Sequence, residues 1–196
     1  AHYMRDDSYT DLILNGDIHT HNQKLAGLPE RDDAKTFIYA LLYGAGDAKI
    51  GTIIGGGAKA GRSLRYKFMS GLPAYAKLLE KIGTTMNKQG TLPGLDGRRL
   101  HVRSEHAALN TLLQSAGAVV MKKALVLAMD ALQEAGIPCT LVAQVHDEVQ
   151  VEAEPQYAEQ VGQAFRKAIQ DAGTYYEMRC PLDGEYKVGP NWSHTH

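Results

Sequence analysis

Cysteine is scarce in this chain of 196 residues, which has two, Cys139 and Cys180. With no C-x-x-C pairing and too few companions, they exclude a zinc ribbon and a disulfide framework, and both are expected to be reduced, buried thiols. Charge of either sign is also nearly absent in the balance: the net charge is −1, too little for nucleic-acid affinity through bulk charge. Long hydrophobic runs are missing. No uninterrupted apolar stretch approaches the roughly 20 residues of a membrane helix, and the opening AHYMRDDSYT has no apolar signal-peptide core, so a cytoplasmic setting is expected. Repeats and low-complexity tracts are absent, and the nearest thing to a linker is Gly55-Gly56-Gly57. What remains is ordinary globular composition, 44% hydrophobic and 22% charged, in a length that suits one domain or part of something larger.

The near-neutral total hides a division. Between Lys59 and Arg103 stand ten Lys or Arg and two acids, a local +8, whereas Asp130 to Lys187 holds eleven acids and four bases, a local −7. A basic block serves phosphate contact or a solvated helix face, and charge alone does not separate these. An acidic block fits a carboxylate-rich site for metal ions.

Periodicity predicts helices over 32–43, 59–68 and 73–86, the first preceded by Pro29 and ended by Gly44. Turn residues Gly94, Asp96 and Gly97 make LPGLDGRRLHV a hairpin that feeds a long helix over 105–135, stopped by Gly136 and Pro138. The period then changes: IPCTLVAQV and EVQVE read as strands joined at His146 and Asp147. A last helix over 155–172 groups Tyr157, Val161, Phe165, Ala168 and Ile169 on one side, and the tail MRCPLDGEYKVGPNW is expected to add a final strand. Helices before a small antiparallel sheet give an α+β class.

The most informative stretch is RDDAKTFIYALLYG. Arg31, Lys35, Tyr39 and Tyr43 recur every four residues, so they form a ladder along one edge of a helix about 18 Å long. Ala34, Phe37, Ile38, Leu41 and Leu42 fill the neighbouring arc and give the helix a side to dock. Arg offers a planar fork for phosphate oxygens, Lys a mobile charge and Tyr a flat face for a base or sugar, an order that suits a nucleoside triphosphate. The bland alternative pairs Arg31 and Lys35 with Asp32 and Asp33 on a solvated face. At the other end of the chain, an aspartate at a hairpin bend is by itself most often a turn residue.

Taken together, R-x-x-x-K-x-x-x-Y-x-x-x-Y-G, the wider stretch from NGDIHT to YGAGD and the bend His146-Asp147-Glu148 resemble the DNA polymerase I-like family, family A, in its bacteriophage replicative branch. The resemblance implies part of a right-hand fold: residues 1–25 as a partial palm leading into the fingers, 26–95 as helical fingers and 96–196 as a helix-backed antiparallel palm sheet. It implies template-directed DNA synthesis, with transfer of a nucleotide from dNTP to a primer 3′-hydroxyl. Arg31, Lys35 and His19 would contact the phosphates, Tyr39 would line the sugar and base pocket, and Tyr43 and Gly44 would shape the template pocket. Asp147 would be the catalytic metal ligand, supported by Glu148, with His146 at the primer terminus. The complete site would hold two Mg²⁺, which takes oxygen ligands and needs few protein carboxylates when phosphates supply the rest. Asn110 and Gln114, four apart on the long helix, would contact the minor groove, whose acceptors look alike in all pairs. Arg98, Arg99 and Arg103 would touch backbone phosphates without reading sequence.

Departures from the family pattern shape the expectation. The first metal-binding aspartate, in a D-x-S-x-x-E-L-R-like motif, has no counterpart, nor does the glutamate that follows it, and Asp6, Asp7, Asp11 and Asp17 are poor substitutes. The first residue is Ala1, so a truncated or split product is expected. The chain alone should synthesise little or nothing without an N-terminal polymerase portion in cis or trans. Two alternatives stand beside this: a noncatalytic DNA- or nucleotide-binding subunit, and a fragment like the single-subunit RNA polymerases, against which HDE speaks because those resemble HDS at this bend. Metal or phosphate binding through His19-x-His21 or the glycine triplet lacks the remaining ligands or a strand-to-helix setting.

Overall fold

The computed structural model describes residues 1–196 and divides them into two compact units, Ala1–Leu113 and Gln114–His196. The first is built from α1 (Asp7–Asn15), α2 (Ile18–Ala26), α3 (Arg31–Leu42), α4 (Asp47–Thr52), α5 (Ala58–Gly71), α6 (Pro73–Gln89) and the short strands β1 (Thr91–Pro93) and β2 (Arg99–His101). A 3-10 turn, Glu105–Ala107, leads into α7 (Ala108–Glu134), which runs unbroken through the division. The second unit adds β3 (Cys139–Val145), β4 (Glu148–Ala153), α8 (Ala158–Tyr175) and the one-turn α9 (Trp192–Thr195). Helices with small antiparallel sheets bear out the α+β expectation.

Local chemistry sets the helix ends. Asp6 and Asp17 cap α1 and α2 by accepting from Tyr9 and from His19 and Thr20 N–H groups, which would otherwise be unpaired donors. Pro73 opens α6, where its missing N–H costs nothing, and Gly90 closes it in the left-handed conformation. Neither α1, α2 nor α4 was expected from periodicity, because each is no longer than nine residues.

The core of the first unit is aromatic. Phe37 of α3 meets Phe68 of α5 edge to face at 5.3 Å between ring centres, and Phe68 meets Tyr75 of α6 at 5.8 Å. Burial raises the Tyr75 phenol to about 12. Tyr9 donates to the buried Asn22 side chain at 3.1 Å, tying α1 to α2. Helices α4 and α5 approach so closely at Gly61 that a β-carbon there would lie 1.8 Å from the Asp47 carbonyl oxygen.

In the second unit β3 and β4 pair from Cys139↔Ala153 to Val145↔Glu148, with an irregularity between Leu141 and Ala143 that leaves Val142 without a partner. The expected final strand is not formed. Instead the segment after α8 lies along that helix: Leu182 packs on Gly173, Ile169 on Gly184 and Tyr186 on Gly162, while Arg166 holds both Asp183 oxygens at 2.8 and 2.7 Å. Pro181 and Pro190 lack the N–H a ladder needs, and side-chain anchoring to α8 takes its place. Cys139 and Cys180 are free, as expected, but half-buried rather than buried.

The apolar runs of α7 are short, as expected, although by length and composition alone the helix over 105–134 would be sufficient to cross a membrane. Its buried residues, Ala108, Leu112, Ala116, Val119 and Val120 through Ala124, Ala128 and Leu132, recur at three- and four-residue spacing, the pattern of a core helix.

Candidate active site

Docking of α3 follows from its sequence. Ala34, Phe37 and Leu41 are buried, Ile38 and Leu42 half-buried, and this turns Arg31, Lys35, Tyr39 and Tyr43 outward. Tyr39 and Tyr43 are 51% and 60% exposed, open enough for a flat ligand to rest on them. Gly44 ends the helix at φ 74, and a β-carbon there would stand 2.1 Å from the His106 carbonyl oxygen. Any larger residue would fail on both counts.

At the N-terminal end of α3 the structure gathers Arg31 and His19 around Asp17. The Arg31 guanidinium forks onto the two Asp17 oxygens at 3.1 and 3.2 Å, while His19 and Thr20 N–H groups donate to the same carboxylate. Arg31, with help from Thr20, holds the Asp17 carboxyl well below the usual carboxylate range. Buried His19 Nδ1 has no hydrogen-bond partner, a polar atom that protein groups leave unsatisfied. Asp17 was not foreseen as part of this group. Its signal is an N-cap aspartate in G-D-I-H-T, two residues before His19.

The β3–β4 hairpin turns through His146 and Asp147, with His146 at φ 53 as a tight two-residue connection requires at its first position. Both are exposed, so the turn projects the Asp147 carboxylate from the end of the sheet. Glu148 is fixed by three donors. Gln150 Nε2 lies at 2.5 Å, Trp192 Nε1 at 2.8 Å and His196 Nδ1 at 2.7 Å, and Gln150 first, then His196 and Trp192, keep the carboxyl below its ordinary range. Trp192 and His196 lie 44 and 48 residues away, so no local pattern announces them.

The remaining predicted contacts are spread over other elements. Arg98 sits in the β1–β2 connection paired with Asp96, and Arg99 is exposed on β2, as is Arg103 just beyond it. Asn110 is half-buried and Gln114 exposed, one turn apart on α7. As a magnesium site the second unit is incomplete. Asp147 supplies one accessible carboxylate, both Glu148 oxygens are already engaged, and no group of three His, Cys, Asp or Glu able to hold a metal is formed.

A phosphate-suited ladder on one helix and a lone carboxylate at a hairpin turn place the chain once comparison is made. The family model for DNA polymerase family A matches residues 1–194. This chain belongs to DNA polymerase family A. Within it, the chain is 45% identical over 195 residues to a DNA-directed DNA polymerase of Escherichia phage Phieco32, covering 96% of this chain and 32% of that protein. Identity to the DNA-directed DNA polymerase of Escherichia phage T7 is 44%, over 100% of this chain and 31% of the relative. DNA polymerase I of Pseudomonas aeruginosa is 28% identical. The chain thus spans about a third of the length of the phage polymerases it matches. The fold matches the POL domain of Pol1 from M. smegmatis, solved in complex with DNA primer-template and dNTP, with a TM-score of 0.81 at 22% identity over 93% of this chain and 35% of that one.

Proposed function

We propose that this chain is the fingers and palm portion of a phage-type family A enzyme that copies a DNA template by adding dNTPs to a primer 3′-hydroxyl, in the cytoplasm of a bacterial host. The observation that carries the reading is α3: an outward ladder Arg31, Lys35, Tyr39 and Tyr43, with Arg31 held by the Asp17 carboxylate that also accepts the His19 backbone N–H. In this reading residues 26–95 form the fingers and 96–196 the palm, with 1–25 leading in. Arg31, Lys35 and His19 hold the triphosphate, Tyr39 meets the sugar and base, and Tyr43 and Gly44 shape the template pocket. Arg98, Arg99, Asn110, Gln114 and His146 contact the duplex.

Asp147 contributes one ligand to magnesium in a site that residues outside this chain complete. Two features support a missing portion. Leu141, Val142 and Val145 of β3 are exposed, although a two-stranded hairpin is barely stable without further packing. A cavity of about 1030 Å³ also lies between the hairpin and the helices of the second unit, lined by Leu125, Val149, Val151 and Phe165.

Primer extension with a labelled primer-template, four dNTPs and Mg²⁺ tests the reading. Extension is expected when the chain is joined or mixed with a family N-terminal portion, with none from the chain alone, and Asp147→Ala should reduce it by about 10³-fold or more. Synthesis by the chain alone would move the metal site to other carboxylates. Silence in every mixture of folded proteins would leave a noncatalytic DNA- or nucleotide-binding subunit.

A further inference from the structure

Helix α5, AKAGRSLRYKFMSG, contains four cations and no acid. Gly61, Leu64 and Phe68 are buried on one side of it. At about 100° per residue, the opposite side consists of Lys59, Arg62, Ser63, Tyr66 and Ser70, and all five are exposed. Tyr66 is 73% exposed, more than any other large apolar or aromatic side chain in the protein. The Arg62 side chain is 81% exposed and reaches Asp47 only at 3.4 Å, a carboxylate that Arg65 already holds at 2.8 Å.

A ring standing in water adds nothing to a core. Set between cations, it offers a flat face to a base while its neighbours meet phosphates, the pairing by which single strands are held without regard to sequence. We propose that this face of α5 binds single-stranded nucleic acid, with Tyr66 stacking on a base and Lys59 and Arg62 taking the adjacent phosphates. An acidic protein segment would answer the charge and leave the ring unused.

The identity of the strand rests on the proposed function. Arg65, next to Tyr66 in sequence, donates to the Ala45 carbonyl at 2.7 Å, which fastens α5 to the turn just after Tyr43 and Gly44. Arg62, on the proposed face, reaches Asp47 two residues further along, so under the proposed function unpaired template passing Tyr43 runs toward this face within the same unit. The strand is template ahead of the point of synthesis.

Anisotropy of a labelled oligothymidylate of about 12 nucleotides, within the usual site size, measures the face directly on the 196-residue chain. Tyr66→Ala should weaken binding about tenfold, and Tyr66→Trp should preserve it. Lys59→Gln with Arg62→Gln should lower the salt dependence of the affinity by about one unit of log–log slope. All three sites face solvent, and circular dichroism verifies that the variants fold. Unchanged affinity in Tyr66→Ala would overturn the proposal, as would absent binding by the parent chain or equally tight binding of oligoglutamate. A primer-template duplex with a single-nucleotide template overhang and the matching dNTP, titrated in parallel, reports on the proposed function separately: its failure beside intact, Tyr66-dependent oligothymidylate binding would remove the template assignment and leave the single-strand site.

Discussion

The two units bury different kinds of side chain. In Ala1–Leu113 the interior is Phe37, Phe68, Tyr75, Ile50, Ile82 and several leucines, interlocked ring against ring. In Gln114–His196 the buried residues are mainly Ala116, Val119, Val120, Ala124, Ala128, Val161, Ala168 and Ala172, while larger side chains of the hairpin face water or an open cavity. Large side chains that meet one another close a core by themselves. Small ones allow close helix contact but remove less apolar surface from water, so the second unit gains less from its own packing.

Matched truncations test this contrast. Phe37→Ala, at a fully buried ring, should cost about 3–5 kcal/mol in urea unfolding followed by circular dichroism. Gly44→Ala should cost about 1–3 kcal/mol from the left-handed backbone alone, with the His106 contact adding to it. Phe165→Ala, which borders the cavity, should cost less than half the loss at Phe37, and an equal loss would show that the second unit is as tightly closed as the first. Asp17→Asn should lower the urea midpoint slightly near neutral pH. Because Arg31 depresses the Asp17 pKa, the carboxylate stabilises the fold above its ordinary value of 3.8 and that contribution is lost as pH falls below it, so the gap between parent and variant should close in acid. The smallest effect is optical. Trp192 is the sole tryptophan, and Glu148→Ala should make its emission easier to quench with acrylamide, because its indole N–H loses its acceptor.

The same contrast governs what could be read from sequence. Helix α3 was legible because its docking side, its outward ladder and its stop at Gly44 all lie within fourteen residues. The hairpin was legible from a change of period and a polar bend. Asp17 was rightly set aside as a metal ligand, but its work, to cap α2 and hold Arg31, was not read, because the Arg31 pair spans 14 residues. The tail after α8 has strand-like alternation in EYKVG, but Tyr186 is spent on Gly162 and no neighbouring strand is offered. Of the three donors on Glu148, Gln150 is its neighbour on β4, but Trp192 and His196 arrive from the far end of the chain, a tertiary fact with no local trace.

The fork of Arg31 on Asp17 has a consequence for how a nucleotide would arrive and leave. The Arg31 guanidinium is paired with the Asp17 carboxylate, which occupies the donors that phosphate oxygens would use under the proposed function. Arrival is then a displacement, one two-oxygen acceptor replacing another, and the net gain is the difference between them rather than the full strength of an arginine–phosphate pair. Departure runs the exchange backwards, with Asp17 re-occupying the guanidinium as the phosphates withdraw. Under the proposed function, in which the step is repeated at every template position, such a site is an advantage, because a hold that is easily exchanged is also easily released.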